Sequence, residues 1–212
     1  MKPTPLFPLF LKLDAKPCLV VGAGPLADSK MDSLLISGAR VTVVAPEATA
    51  RIRSLAAKNK ITWHPRRFRA GDVKGALLAV AATNLPVVNH AVHAACARRG
   101  VLCNVVDDPE YCDFYYPAVV RRGPLQIAIS TGGASPMLAR RLREQLEQDF
   151  PADYAPWLAA LDKERKRIHR SALSPADKRT VLDRISSAEA YQTFARSTEI
   201  PGTPQSRRAK RS

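Results

Sequence analysis

The four cysteines, Cys18, Cys96, Cys103 and Cys112, form no Cys-x-x-Cys pair. That excludes the common zinc-ribbon and thioredoxin-like arrangements. Cys18 and Cys103 stand in apolar runs, where a free thiol acts as a small hydrophobe. Such usage fits a reducing compartment better than a disulfide framework. No apolar run approaches the ~20 residues that a membrane-spanning helix needs. The opening stretch "MKPTPLFPLFLKLD" is interrupted by prolines and has no clear small-residue cleavage site. It is not read as a signal peptide, and a cytoplasmic protein is expected. Aromatic residues make up only 6% of the chain and no nucleic-acid motif is present, so a base-stacking platform is not expected.

Acids are scarce as well. Asp and Glu number 19 against 33 Lys and Arg, a net charge of +14. Such an excess favours an acidic partner: nucleic acid, an anionic membrane surface, or a polycarboxylate or phosphate ligand. Part of it sits in "PGTPQSRRAKRS" (201–212), which reads as a disordered basic tail.

What is present is an alternation. "CLVVG" (18–22), "RVTVVA" (40–45), "ITWHP" (61–65), "ALLAVAAT" (76–83) and "VLCNVV" (101–106) read as strands. Helical patterns at 27–37, 48–58 and 86–100 separate them, the first and last ended by Gly38 and Gly100. Strands alternating with helices predict an α/β fold with a parallel sheet covered on both faces. After about residue 113 the pattern changes. "FYYPAVVRRGPLQIAIST" (114–131) reads as two strands around an Arg-Gly-Pro turn, an antiparallel element. Helices then start at Ser135-Pro136 and Ser174-Pro175, each a capping serine followed by proline. The expected organisation is a Rossmann-like domain over 1–113, a small α+β region over 114–150, a helical region over 151–200 and the tail.

Within "CLVVGAGPLADSK" (18–30), Gly22, Gly24 and Ala27 form G-x-G-x-x-A between a strand and a helix. The first glycine permits a tight turn, the second lets backbone approach a pyrophosphate, and the third position needs only a small residue for packing. The helix that follows presents free N–H groups and its positive dipole end to phosphates. The acid that commonly binds the ribose 2′-hydroxyl after the second strand is missing. Ala45 and Pro46 stand in its place and Glu47 follows, so the residues leave NAD against NADP open.

Thr83 and Asn84 end the fourth strand, where ligands gather in such sheets; Asn84 also reads as a helix cap. Asp107 and Asp108 end the fifth, and fit either a general base or a plain Asp-Asp-Pro turn. "STGGASP" (130–136) joins a strand end, a Gly-Gly turn and a helix start, a second potential anion site, with Arg140, Arg141 and Arg143 following on the helix. His90, His93 and Cys96 recur every three residues, but their face turns by about 120° across that span. They suggest no metal site.

Taken together, these landmarks resemble the precorrin-2 dehydrogenase / sirohydrochlorin ferrochelatase family, the NAD-dependent module of siroheme synthase. The resemblance rests on "PLFLKL", the glycine turn, "LLISGARVTVVAPE", "LLAVAATN" and the run from "CNVVDDPEYCDFYYPAVV" to "STGGASPMLARRLRE", over roughly residues 5–150. It implies an NAD-binding domain, a homodimer, and oxidation of precorrin-2 to sirohydrochlorin. Chelation of Fe2+ or Co2+ as a further substrate stays open, with no metal site built from protein alone. It implies Asp107 as the catalytic carboxylate, Asp108 occupying a variable position. Cofactor contacts fall at Gly22, Ala23, Gly24, Pro25, Leu26, Pro46, Glu47, Thr83 and Asn84. From the strand-end and helix-start reading above, substrate contacts are expected at Ser130, Thr131, Gly132, Gly133, Ser135 and Arg140. A strongly basic protein suits a tetrapyrrole polycarboxylate; no nucleic-acid or membrane partner is expected. The chain has no second glycine-rich α/β region of the kind that carries methylation in longer siroheme synthases. The rival reading is a Rossmann module that senses NAD without catalysis, since fold does not fix function.

Overall fold

A computed structural model describes residues 5–197. The basic tail expected over 201–212 lies outside the described residues. The chain divides between Tyr116 and Pro117 into two compact units.

The first unit is a parallel sheet. β1 (Pro17–Val21), β2 (Arg40–Val44), β3 (Thr62–His64), β4 (Leu78–Ala81) and β5 (Leu102–Val105) lie in the order β3-β2-β1-β4-β5. β1 pairs in parallel with β2 on one side and β4 on the other, so the strand order reverses at β1. The register sets His64, Val44, Val21, Ala81 and Val105 in one row. Each strand therefore hands its next residue to the same carboxyl edge. Open α/β sheets bind ligands at that edge, at the reversal point.

Three helices cover the sheet: α1 (Pro25–Ile36), α2 (Ala50–Ala57) and α3 (Pro86–Ala97). Alternate strand residues sort into two cores because successive side chains point to opposite faces. Cys18 and Val20 of β1 pack with Met31 and Leu34 of α1 and Ile52 of α2. Leu19 and Val21 pack with Val92, Ala95 and Cys96 of α3. Truncating a buried side chain such as Met31 to alanine costs about 2–5 kcal/mol. α1 ends as its glycine predicts. Gly38, at φ +75, and Ala39 donate back to the carbonyls of Leu35 and Leu34, satisfying groups the helix end leaves open.

In the second unit, β6 (Ala118–Arg122) and β7 (Leu125–Ile129) form the expected antiparallel hairpin. Helices α4 (Pro136–Asp149), α5 (Tyr154–Arg170), α6 (Pro175–Ile185) and α7 (Ala188–Ser197) follow. Arg122 donates from Nε to the Phe150 carbonyl at 2.6 Å and from Nη2 to that of Glu147 at 2.9 Å. One guanidinium from β6 thus closes the C-terminal end of α4. Tyr191 of α7 donates its hydroxyl to Asp153 Oδ1 at 2.6 Å and packs on Tyr154 and Trp157 of α5.

Candidate active site

The glycine turn is held by backbone. Gly22 sits at φ +103, a conformation that side chains resist, and a Cβ there would lie 2.3 Å from the Ala82 carbonyl oxygen. Its N–H donates to the Val44 carbonyl at 3.0 Å, tying the turn to the end of β2. A Cβ on Gly24 would meet nothing within 4 Å. Gly24 caps α1 without a side-chain hydrogen bond, and Pro25 takes the first helical position. Ala27 is fully buried, as close helix–strand packing demands. The turn therefore combines a sealed floor, an open approach and a helix start with unsatisfied donors, the features an anionic diphosphate requires.

Above it lies a cavity of about 990 Å³. Gly22, Ala23, Gly24, Pro25 and Leu26 line one side, Pro46 and Glu47 the end of β2, and Thr83 and Asn84 the end of β4. Sites of roughly 300–1,000 Å³ hold drug-sized and cofactor-sized ligands. A dinucleotide fits both the volume and the donor set.

Several features of the site escape local sequence reading. Arg67 and Phe68 follow β3 and enter the cavity wall, as do Val87, Val88 and Ala91 of α3. The rule that ligands sit at strand ends, applied to β3, would have pointed to the first two. Asn89 is a buried polar residue, 7% exposed. Its Oδ1 accepts from Thr83 N at 3.2 Å and Thr83 Oγ1 at 2.7 Å, and its Nδ2 donates to the Thr83 carbonyl at 3.1 Å. The cap expected of Asn84 falls elsewhere. Leu85 occupies the cap position, and its N–H donates to Thr83 Oγ1 at 3.2 Å. Asn84 is exposed on the cavity wall because Asn89 already holds the strand end through Thr83.

Asp107 follows β5 at the same carboxyl edge, exposed, at φ +62. It stands outside the lining of the dinucleotide cavity. The turn that carries it is heavily tied. Cys112 Sγ accepts from Val105 N and Asn104 Nδ2, both at 3.3 Å, and its S–H faces the Val105 carbonyl at 3.1 Å. Burial pushes that thiol above its ordinary pKa. Asp113 Oδ2 accepts from Cys103 N at 2.8 Å. Asp108 faces His90, whose ring stacks on Tyr111 with centroids 4.1 Å apart. His93 meets Tyr111 edge-on, and Cys96 lies in the core; the three residues turn to three different tasks.

Ser130, Thr131, Gly132, Gly133, Ser135 and Arg140 belong to the second unit. Ser130 Oγ accepts from Gly132 N at 3.2 Å and Thr131 Oγ1 from Ser135 N at 3.1 Å. Gly132 and Gly133 adopt φ +61 and +87, with open space where a Cβ would stand. Ser135 caps α4 by accepting from Leu138 N. Arg140 pairs with Glu144, and Arg143 with Glu147, along the surface of α4.

Residues 9–118 match the family described as putative NAD(P)-binding, and residues 122–149 match the sirohaem biosynthesis protein central family. The chain belongs to the first of these families, the putative NAD(P)-binding one, and carries the sirohaem biosynthesis central segment after it. The siroheme synthase of Methylococcus capsulatus is 42% identical over 177 residues, 84% of this chain and 37% of that protein. That of Chromobacterium violaceum is 44% identical over 148 residues, 70% of this chain and 32% of that protein. The chain thus spans about a third to two-fifths of the siroheme synthases it matches. The solved structure of SirC, a precorrin-2 dehydrogenase, matches with a TM-score of 0.79 at 29% identity, over 92% of this chain and 96% of that one. The shared fold of this family member is the parallel sheet, the small hairpin and the helical region just described.

Proposed function

We propose that the chain is an NAD-dependent precorrin-2 dehydrogenase acting in siroheme biosynthesis. The observation that carries the reading is the coincidence of a dinucleotide-shaped cleft at the β1 reversal point with a likeness to SirC along nearly the whole chain. In the balanced reaction, precorrin-2 gives up a hydride and a proton and becomes sirohydrochlorin. NAD+ supplies the hydride acceptor when bound.

The chain's own residues bind, orient and accept the proton. Gly22 to Leu26 and the first turn of α1 take the diphosphate; Pro46 and Glu47 flank the adenosine ribose; Thr83 and Asn84 border the nicotinamide half. Asp107 accepts the proton that leaves as the hydride departs, and its charge stabilises the cation developing on the macrocycle. The segment Ser130–Ser135 and Arg140 meet the carboxylates of the substrate, for which a net charge of +14 is complementary.

Insertion of Fe2+ or Co2+ into sirohydrochlorin is the second half of the proposal. The metal ion is a substrate, and Asp107 accepts the pyrrole protons it displaces. A homodimer is proposed on two observations. Leu6, Phe7, Leu9, Phe10 and Leu11 are exposed in succession, and β6 and β7 each have one strand edge unpaired among the described residues. A cytoplasmic location agrees with the absence, among the described residues, of any helix long and apolar enough to cross a membrane.

The test supplies precorrin-2 and NAD+ to the purified chain and follows NADH and the sirohydrochlorin chromophore. Turnover is expected. Tight NAD+ binding without turnover would instead identify a sensing module. A second assay follows metal uptake by sirohydrochlorin with and without the chain.

A further inference from the structure

The loop after β3 is built to hold one arginine down and hold another out. Arg66 donates from both terminal nitrogens to Asp72, at 2.9 and 2.7 Å, in a two-pronged pair. Asp72 Oδ2 also accepts from the Arg69 N–H at 2.8 Å, and Arg66 N donates to the His64 carbonyl at 2.8 Å. Residues 66–69 are thereby pinned at both ends. Between them stand Arg67 and Phe68, both in the cavity wall. Asp72 is spent on Arg66, and Arg67 has no carboxylate partner among the described residues.

The same loop is stitched to the end of β2. Ala45 N donates to the His64 carbonyl at 3.2 Å, and Trp63 Nε1 donates to the Ala45 carbonyl at 3.1 Å. Arg67 therefore shares the cavity rim with Pro46 and Glu47, the positions that replace the usual ribose-binding acid. Among the described residues, the Glu47 carboxylate and the Arg67 guanidinium stand on one rim with no ion pair to each other or to a third residue. A carboxylate there accepts from a ribose 2′-hydroxyl, whereas an arginine there accommodates a 2′-phosphate.

We propose that Arg67 reads the ribose 2′ position, so that the cleft takes the 2′-phosphorylated dinucleotide NADP as well as NAD. Arg67 carries the 2′-phosphate and Glu47 the free hydroxyl. The proposal rests on the dinucleotide reading of the cleft and on no property of the tetrapyrrole site.

The experiment titrates the full chain with NAD+, NADP+, 5′-ADP and 2′,5′-ADP. It uses calorimetry, together with the fluorescence of Trp63, whose indole abuts the rim. NADP+ is expected to bind within about tenfold of NAD+, one charge-assisted pair offsetting repulsion from Glu47. Arg67→Ala should weaken NADP+ and 2′,5′-ADP by about tenfold or more while NAD+ and 5′-ADP change less than about twofold. Glu47→Gln should tighten NADP+. Equal weakening of both members of each pair in Arg67→Ala overturns the proposal, as does binding of NAD+ without NADP+. Failure of all four nucleotides to bind overturns the cleft reading and this inference with it. Arg67 is exposed, and its side chain has no ion pair among the described residues, so the alanine variant breaks no ion pair of the fold.

Discussion

His90 on α3 and Asp108 after β5 meet at 2.8 Å between Nε2 and Oδ2, across 18 residues of sequence. The pair clips the turn that carries Asp107 to the helix beside it, while Tyr111 stacks on the imidazole from the other side of the turn. Both side chains are more than a third exposed, so the pair contributes little to overall stability. Its effect should fall on the turn that holds Asp107. His90→Phe, which preserves the stack and removes the hydrogen bond, should lower kcat by about tenfold, the equivalent of ~1.4 kcal/mol. KM for NAD+ and the melting temperature should hardly move. A kcat equal to that of the parent would show that Asp107 is positioned without the clip.

Asp107 offers a separation of fold from chemistry. Its φ of +62 is costly for a side-chain-bearing residue and free for glycine. Asp107→Gly should therefore be more stable than Asp107→Ala by about 1 kcal/mol in urea unfolding. Both variants should lose turnover by at least about 100-fold, the range of a general base, with NAD+ affinity retained. Substantial activity in either would remove the proton-accepting role from this carboxylate.

The two glycines of the turn should fail in different ways. Gly22→Ala drives a Cβ to 2.3 Å from the Ala82 oxygen at an unfavourable φ. It should cost about 3 kcal/mol or more of folding stability, through strain and overpacking together. Gly24→Ala meets open space and should leave the melting temperature within about 2 °C. It fills the approach to the helix start instead, so NAD+ binding should weaken by about tenfold or more. Thermal melts beside binding titrations check both.

Acid should loosen the rim before the sheet. The Arg66 guanidinium, and next the Arg69 N–H against the opposing effect of burial, hold Asp72 below the ordinary carboxylate pKa. A lowered folded-state pKa means that the stability is present above the unfolded value and is lost as pH falls through the folded one. The loss therefore belongs to the region below about pH 4. Arg66 is about a third exposed, so solvent screening keeps the contribution of the pair small. Asp72→Asn should lose that contribution at neutral pH and show a flatter acid limb. Unfolding curves at several pH values measure both. Parallel acid limbs in parent and variant would show that Asp72 contributes no such linkage.

The parts legible in the sequence are those whose causes are local. β1, β2, β4 and β5 announce themselves as short, mainly apolar runs, and Gly38, Pro86 and Ser135 mark helix ends by backbone demands that act within a few residues. The glycine turn is legible for the same reason. Arg67, Phe68 and Asn89 were not. Their proximity to the cleft depends on β3 lying beside β2 and on α3 packing under β4, long-range facts that no window of residues contains. Asn84 illustrates the limit. Its position before Pro86 fits a cap, and only the buried Asn89 explains why Thr83 serves Leu85 instead. His90 likewise gains its partner through β5, not through its helical neighbours.

At the floor of the cleft Gly22 lies directly against the Ala82 backbone. Main chain rests on main chain there, so the floor has no side chain to exchange and no volume to spare. Arg67, Glu47 and Asn84, by contrast, stand at its mouth with open solvent beyond. A saturation library of this chain should divide sharply: near-total intolerance at the floor, and broad tolerance at the mouth accompanied by graded changes in ligand preference. New cofactor preferences are reached by changing the collar of a socket whose base is already closed.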